Sequence, residues 1–581
     1  MRTLHPASAP FSTPPLPFPR NATSTVEWLL ESLHALGVEE AFGLTGGAIA
    51  PLTHALARSS LRTYHFRHEC GAGYAALEAS LASGRPSLLY VTTGPGLTNA
   101  LTALSAARWE GGKILMISGA TPSAQRQRWA CQETSALTLP LGGFFSSGPL
   151  FDVAAMVEST GELEALMHRL AQGWTRPGAW LGHLSLSIPL QSAPAPRRTF
   201  RAPSDPALPT ADSRVLAEVA HALGNERSVL WVGHGARFAA TQVRMLAERL
   251  GTPVMVSPRA KGVFSERHPL YLGTSGLGGH QEVEAYFART RPAYVLVLGS
   301  RLSEPTSFWN PALVPSKAFI HVDMDPQVPG SAYPEAETWA IQAEVGAFLD
   351  GLLSRLPSAS LRPLVAMQGP LAPEPPEVQD EGAVRPQSLM AALQSVVVDG
   401  SDATVMAESG NAFAWANHLL RFTEPERYRV STGFGAMGHF ANGVVGAALA
   451  TGRKAVALVG DGSMLMGTEL NSAVQYRAPA VWIVLNDASY SMVDQGMRAL
   501  GLTPLPTGMP RVDFVALARA CGADGIRVEQ ESQLKDAMIA AMAAEGPFVI
   551  DVQLDNSETA PWMRRIRSLI SQGIDDEGDA S

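Results

Sequence analysis

Three cysteines, Cys70, Cys131 and Cys521, are all that 581 residues contain, and they are scattered and odd in number. A disulfide framework and a cysteine-built zinc site are thereby excluded, and a reducing compartment is expected. No apolar run reaches membrane-spanning length, so no membrane partner is expected. A basic excess is missing too: 44 Lys and Arg against 53 Asp and Glu leave a formal net charge of −9. Nucleic acid is excluded as a partner, because a phosphate backbone requires a basic face that no segment supplies. The first 20 residues are proline-rich and lack the apolar core of a secretion signal. A cytoplasmic enzyme acting on small molecules is the expectation.

What is present is ordinary globular material, 46% hydrophobic and 17% charged, in a chain long enough for about three domains. Residues 1–20 read as a proline-rich arm. From 21 to 195, helical patterns (VEWLLESLHALGV, GAGYAALEASLASG) alternate with strand-like runs (EEAFGL, PSLLYV, KILMISGA). That alternation predicts a doubly wound α/β domain. After a proline-rich break the pattern repeats over 206–360, with SVLWVG, TPVMV, AYVLVLGS and KAFIHVD as strands. Residues 361–385 read as a linker, 386–556 as a third α/β domain and 557–581 as a tail of solvated surface. The fold class is α/β with three doubly wound parallel sheets. In the second domain, GHGARF at Gly233–Phe238 follows a strand but puts Phe where a dinucleotide fingerprint needs its third glycine. A plain βα turn explains it equally well.

The third domain carries the chemistry. KAVALVG is a buried strand that breaks at Gly460-Asp461-Gly462, Met464–Arg477 has an approximately helical period, and AVWIVLN is a second buried strand that delivers Asp487. A right-handed strand–helix–strand unit sets the two strand ends side by side, so Asp461 and Asp487 are expected to converge. Paired carboxylates beside a glycine-flanked turn and a helix start suit a hard divalent cation carrying a diphosphate.

GDG followed by an Asn486-Asp487 pair resembles the thiamine diphosphate signature, and the whole chain resembles the acetolactate synthase and pyruvate oxidase branch of thiamine diphosphate enzymes. The resemblance implies a pyrimidine-binding first domain, a central domain that is structural or FAD-binding, and a diphosphate-binding third domain, with Mg2+ on Asp461, Asp487 and the Ser489 carbonyl. RHECGA matches the family phrase that supplies the carboxyl beside the pyrimidine, which is Glu69 here. VTTGPGLTN, with Thr93, and CQET, with Gln132, match pocket loops. Gly410 and Asn411 in ESGNAF, with Gly460, Gly462 and Ser463, fall where the family holds the cofactor. Met437 matches the residue that props it, and Met492 the pocket wall. His439 reads equally as an acid–base group or a core histidine. Gly46 and Gly47 fall at the substrate pocket.

Departures from acetolactate synthase concern the acceptor. Gly496 stands where the family has a tryptophan, Pro305 where it has an arginine in a GARFDDR phrase, and Phe145 where it has a lysine. The implied reaction joins a 2-oxo acid donor to a carbonyl acceptor larger and less anionic than pyruvate, in a homodimer or homotetramer with cofactor between subunits. Rivals are a non-ligating decarboxylase, acetolactate synthase proper, an inactive scaffold and a nicotinamide dehydrogenase. FAD is left open by the degenerate glycine pattern and Arg301.

Overall fold

The computed structural model describes residues 23–135, 137–195, 208–367, 369–370, 375–467 and 469–572. The expected arm at 1–20 lies outside them, as do the middle of the first proline-rich break and the end of the chain. Three six-stranded, all-parallel sheets make up the body. The first holds β1 (Glu40–Gly43), β2 (Arg62–His65), β3 (Ser87–Val91), β4 (Lys113–Ala120), β5 (Val153–Val157) and β6 (Trp180–Ser187), in the order β2-β1-β3-β4-β6-β5. The second holds β7 (Ser228–Val232), β8 (Val254–Val256), β9 (Tyr271–Thr274), β10 (Tyr294–Leu298), β11 (Ala318–Asp323) and β12 (Thr338–Gln342). The third holds β13 (Thr404–Ala407), β14 (Tyr428–Val430), β15 (Ala455–Gly460), β16 (Ala480–Asn486), β17 (Asp524–Val528) and β18 (Phe548–Gln553). Its order, β14-β13-β15-β16-β18-β17, repeats that of the first sheet, whereas the central sheet runs β9-β8-β7-β10-β11-β12.

The strands form where apolar runs are covered on both faces. Every residue of β3, β7 and β16 is buried, as parallel sheets flanked by helices require. The first and third domains meet through two helices, Glu69–Ser83 and His439–Thr451. Both are buried along nearly their whole length, so neither has a solvent stripe. Small residues bring them close: a Cβ at Gly446 would run into the Ala75 carbonyl, and one at Gly443 would lie 2.7 Å from Glu78 Cγ.

Two expectations are corrected. The single helix expected over Met464–Arg477 is two, Asp461–Met464 and Leu470–Gln475. Glu469, between them, is turned to the first domain, where it accepts from the N–H groups of Arg67 (3.1 Å) and His68 (3.0 Å). Residues 557–572 are not a solvated tail: Trp562 is buried and the Met563–Ser571 helix is tied to the central domain by Arg564–Glu284 and Arg565–Glu304 pairs. The 361–385 segment is pinned as well, with Arg362 donating to the carbonyls of Leu223, Gly224 and Glu226. Among the described residues, no helix is long and apolar enough to cross a membrane.

Because main chain, not a flexible side chain, faces Gly446, Gly446→Val is expected to lower the unfolding free energy by about 3 kcal/mol. Urea unfolding followed by tryptophan fluorescence measures it, and wild-type stability would show that the two helices do not touch there.

Candidate active site

β15 and β16 pair with Gly460 opposite Leu485, so Asp461 and Asp487 leave neighbouring strand ends. Ala488, held at φ +57°, turns its N–H onto Asp461 Oδ2 at 2.6 Å. Asp461 Oδ1 accepts from Gly462 N–H at 2.7 Å, while Asp487 accepts from Ser489 N–H and Ser491 Oγ. The expected convergence is therefore present. Burial pushes the Asp461 carboxyl up to about 6, and the neighbouring Asp487 adds to the rise. Asp487 is also raised, again chiefly by burial.

These groups fit a divalent cation. They are two crowded acids whose ionised forms are penalised, and neither has an ion pair among the described residues. The carbonyls of Ala488 and Thr507 accept from Met509 and Tyr490 N–H, whereas no described backbone N–H is bonded to Ser489 O. That leaves the carbonyl expected as a ligand available.

The sheet order reverses between β13 and β15, and open α/β sheets bind ligands outside the strand ends at such a point. Gly410, after β13, has φ +109°, which an L side chain rarely adopts, and caps the Asn411–Leu419 helix. A Cβ at Gly410 or Gly460 would meet nothing within 4 Å, so room for a diphosphate exists. Asn411 Oδ1 is buried without a partner, and Ser463 is buried beside the Gly462 turn. Gly462 is needed for closeness, since its Cβ would lie 2.5 Å from the Tyr490 ring.

At the corresponding point of the first sheet, one glycine is closely packed and the next is not. A Cβ at Gly46 would sit 2.5 Å from Thr92 Oγ1, while Gly47 faces open space. Glu69, the first residue of its helix, is buried, and its Oε2 accepts from Asn99 Nδ2 at 3.0 Å. Gly96 approaches Glu69 Oε1, and Thr93 Oγ1 donates to Gln132 Oε1 at 3.3 Å. Glu69, Thr93 and Gln132 thus form one cluster, with Gln132 held at φ +54°.

No hydrogen bond or ion pair between described residues joins this cluster to Asp461 and Asp487. Exposed apolar side chains occur in both domains, Leu101 and Trp109 in the first and Phe434, Met437, Leu465 and Met466 in the third. Met437 is accessible, as a residue that touches a bound molecule has to be. Met492 packs partly buried against the third domain's core.

His439 is corrected to a core histidine. It is fully buried, stacks on Tyr74 (ring centroids 4.8 Å) and sets Nε2 2.9 Å from Glu78 Oε1, with Arg429 on the other Glu78 oxygen at 3.1 Å. Phe145 packs against Phe144 and His183. At Gly496 an added Cβ would meet only Ile566 Cδ1, at 3.9 Å. Pro305 offers its carbonyl to Leu277 N–H and no cation. The sequence places Asn99 only within the VTTGPGLTN pocket loop, with no role of its own, and gives Glu469 none.

The GHG turn does not fit a dinucleotide pyrophosphate. The N–H groups of Gly233, Gly235 and Ala236 already donate to Leu298, Gly299 and Gly233 carbonyls, and the Gly233 and Gly299 main chains touch. Arg301 donates to the Trp109 carbonyl.

Three family models match in order: the thiamine pyrophosphate enzyme N-terminal TPP-binding domain over 23–139, the central domain over 216–352 and the C-terminal TPP-binding domain over 408–552. An acetolactate synthase from Mycobacterium bovis is 30% identical over 557 residues, 90% of this chain and 87% of that protein. A probable 2-ketoarginine decarboxylase from Pseudomonas aeruginosa is 27% identical, over 92% of this chain and 95% of that one. A solved thiamine diphosphate-dependent 4-hydroxybenzoylformate decarboxylase from Rhodococcus jostii shares the fold, with a TM-score of 0.79 at 23% identity over 92% of this chain and all of that one.

Since its folded pKa lies above the ordinary value, Asp461 favours the metal-free fold when protonated, and that contribution is lost as pH rises through about 6. Asp461→Asn is therefore expected to raise the melting temperature of metal-free protein at pH 7.5 and leave it unchanged at pH 4. A lowered melting temperature at pH 7.5 would show that the carboxylate is already compensated.

Proposed function

The chain belongs to the thiamine pyrophosphate enzyme family, and from that premise we propose that it decarboxylates a 2-oxo acid and joins the remaining acyl unit to a carbonyl acceptor larger than pyruvate. The observation that carries this reading is the Asp461–Asp487 clasp at the open switch point, which suits a diphosphate with Mg2+. Asp461, Asp487 and the Ser489 carbonyl would hold the metal, and Gly410, Asn411, Gly460, Gly462 and Ser463 the diphosphate. When bound, thiamine diphosphate supplies the thiazolium carbon that adds to the donor and takes up the electron pair released with carbon dioxide.

The chain's own groups bind, orient and move protons. Asn99 occupies Glu69 Oε2, which leaves Oε1 as the atom to exchange a proton with the pyrimidine. Gln132 and Thr93 orient the donor side, and Met437 and Met492 supply apolar walls that exclude water. With Glu69 and the clasp unconnected in one chain, the working unit is a homodimer or homotetramer in which Glu69 faces Asp461 and Asp487 of the partner subunit. Exposed apolar residues in the first and third domains support that pairing.

Acceptor preference rests on room and on a missing charge. Gly496 leaves open the volume a tryptophan would fill, and Pro305 brings no guanidinium to an acceptor carboxylate. A second reading is decarboxylation without ligation, two of the similar proteins being named decarboxylases. Central-domain FAD forms no part of the reading, since the GHG turn is closed.

Incubating a panel of 2-oxo acids with protein, thiamine diphosphate and Mg2+, with and without aldehyde or ketone acceptors, is expected to yield ligated products by mass spectrometry and little acetolactate from pyruvate. Glu69→Gln should lower the rate at least about 100-fold, and Gly496→Trp should shift preference toward small acceptors. Free aldehyde alone in every reaction would establish the second reading, and an acetolactate rate typical of a dedicated synthase would overturn the first.

A further inference from the structure

The nine-residue Asn411–Leu419 helix begins at the proposed diphosphate grip and ends against the central domain. A helix leaves its last carbonyls without partners and carries partial negative charge there. Here those carbonyls are met by groups from outside the helix. Lys261, fully buried, donates to Asn417 O at 3.1 Å and pairs with Glu266 Oε2 at 2.8 Å. His280 Nδ1 accepts from Thr274 N–H, so its Nε2 carries the hydrogen donated to His418 O at 2.9 Å. Arg421 donates to the same His418 carbonyl at 2.7 Å. Asn417 Nδ2 reaches back to Leu277 O.

The contact is tight at the main chain as well. Gly262 and Gly278 both have positive φ, and a Cβ on either would run into a third-domain carbonyl, Glu424 O or Ala414 O. Burial pulls the Lys261 ammonium down to about 8, with Glu266 opposing the fall, so it is still largely charged at pH 7. One end of this short helix therefore rests on a buried cation, and the other faces the space suited to an anion.

We propose that Lys261, with Glu266 and His280, is a positioning group for cofactor binding: it fixes the pitch of the Asn411–Leu419 helix and so the placement of Gly410 and Asn411 against the diphosphate. The proposal rests on the reading of that cleft given above. It makes the central domain part of the cofactor-holding machinery through the far end of a helix, without touching the cofactor.

The test is titration calorimetry of thiamine diphosphate, with saturating Mg2+, into the full-length protein. The variant is K261M/E266Q, which removes the pair without stranding a buried charge. Its Kd is expected to rise about tenfold, equivalent to about 1.4 kcal/mol, with the donor KM at saturating cofactor unchanged. A lower melting temperature with unchanged Kd would mean a merely structural pair and overturn the proposal. Should the double variant not fold, H280Q is read in the same way: about threefold weaker binding is expected, and an unchanged Kd overturns. If wild-type protein binds no thiamine diphosphate, the reading of the cleft fails first and this proposal with it; wild-type binding with an unaffected variant overturns the proposal alone.

Discussion

Everything in the candidate site depends on how closely two helices approach. The Glu69–Ser83 and His439–Thr451 helices pack through glycine and alanine, with Gly446 against the Ala75 carbonyl, and this contact sets the first domain on the third. Larger residues would hold the backbones apart, and the clamp at the N-terminal end of the first helix would open. That clamp is Glu469, which takes the N–H groups of Arg67 and His68 immediately before Glu69. A carboxyl proposed for proton transfer is thereby aimed by the domain that holds Asp461 and Asp487, even though no described hydrogen bond or ion pair joins them within the chain.

The repeated strand order gives two half-sites that differ in what they present. Both outer sheets reverse at their first and third strands, and both put glycines after the first. In the first domain Gly46 lies against Thr92 while Gly47 faces open space, and Glu69 sits at the start of a helix. In the third domain Gly410 and Gly460 leave their surroundings clear, and small loops replace side chains. Two copies of one topology divide the work: one presents a side chain, the other a cavity.

Strand positions were legible because parallel strands buried on both faces are written as unbroken apolar runs; AVWIVLN is β16 residue for residue. The meeting of Asp461 and Asp487 was legible for the same reason, since strand pairing fixes which ends are neighbours. The break at Glu469 was not, because the partner that breaks the helix lies some four hundred residues earlier and no local pattern reports it. The Met563–Ser571 helix reads in the sequence as a basic amphipathic segment around Arg564 to Leu569, compatible with solvated surface, and its docking was not legible on similar grounds. Its arginines look solvated until Glu284 and Glu304 of another domain are brought to them. His439 was ambiguous because burial beside Glu78 and Arg429 is a property of the domain interface alone.

Electrostatics separates the structural acids from the chemical ones. Glu78 and Glu110 are buried against Arg429 and Arg259, while Glu408 and Glu469 take pairs of backbone N–H groups. Each of them is met by a donor from another part of the chain, as a buried carboxylate requires, although burial still drives Glu408 upward. Asp461 takes Gly462 N–H and, from the neighbouring loop, Ala488 N–H; Asp487 takes Ser489 N–H and Ser491 Oγ; neither has an ion pair among the described residues, and both are driven upward. An anionic protein gains little from a cation placed among acids already paired. It gains most where two acids have been desolvated and left facing one another, and that place coincides with the one switch point whose glycines leave space for a diphosphate.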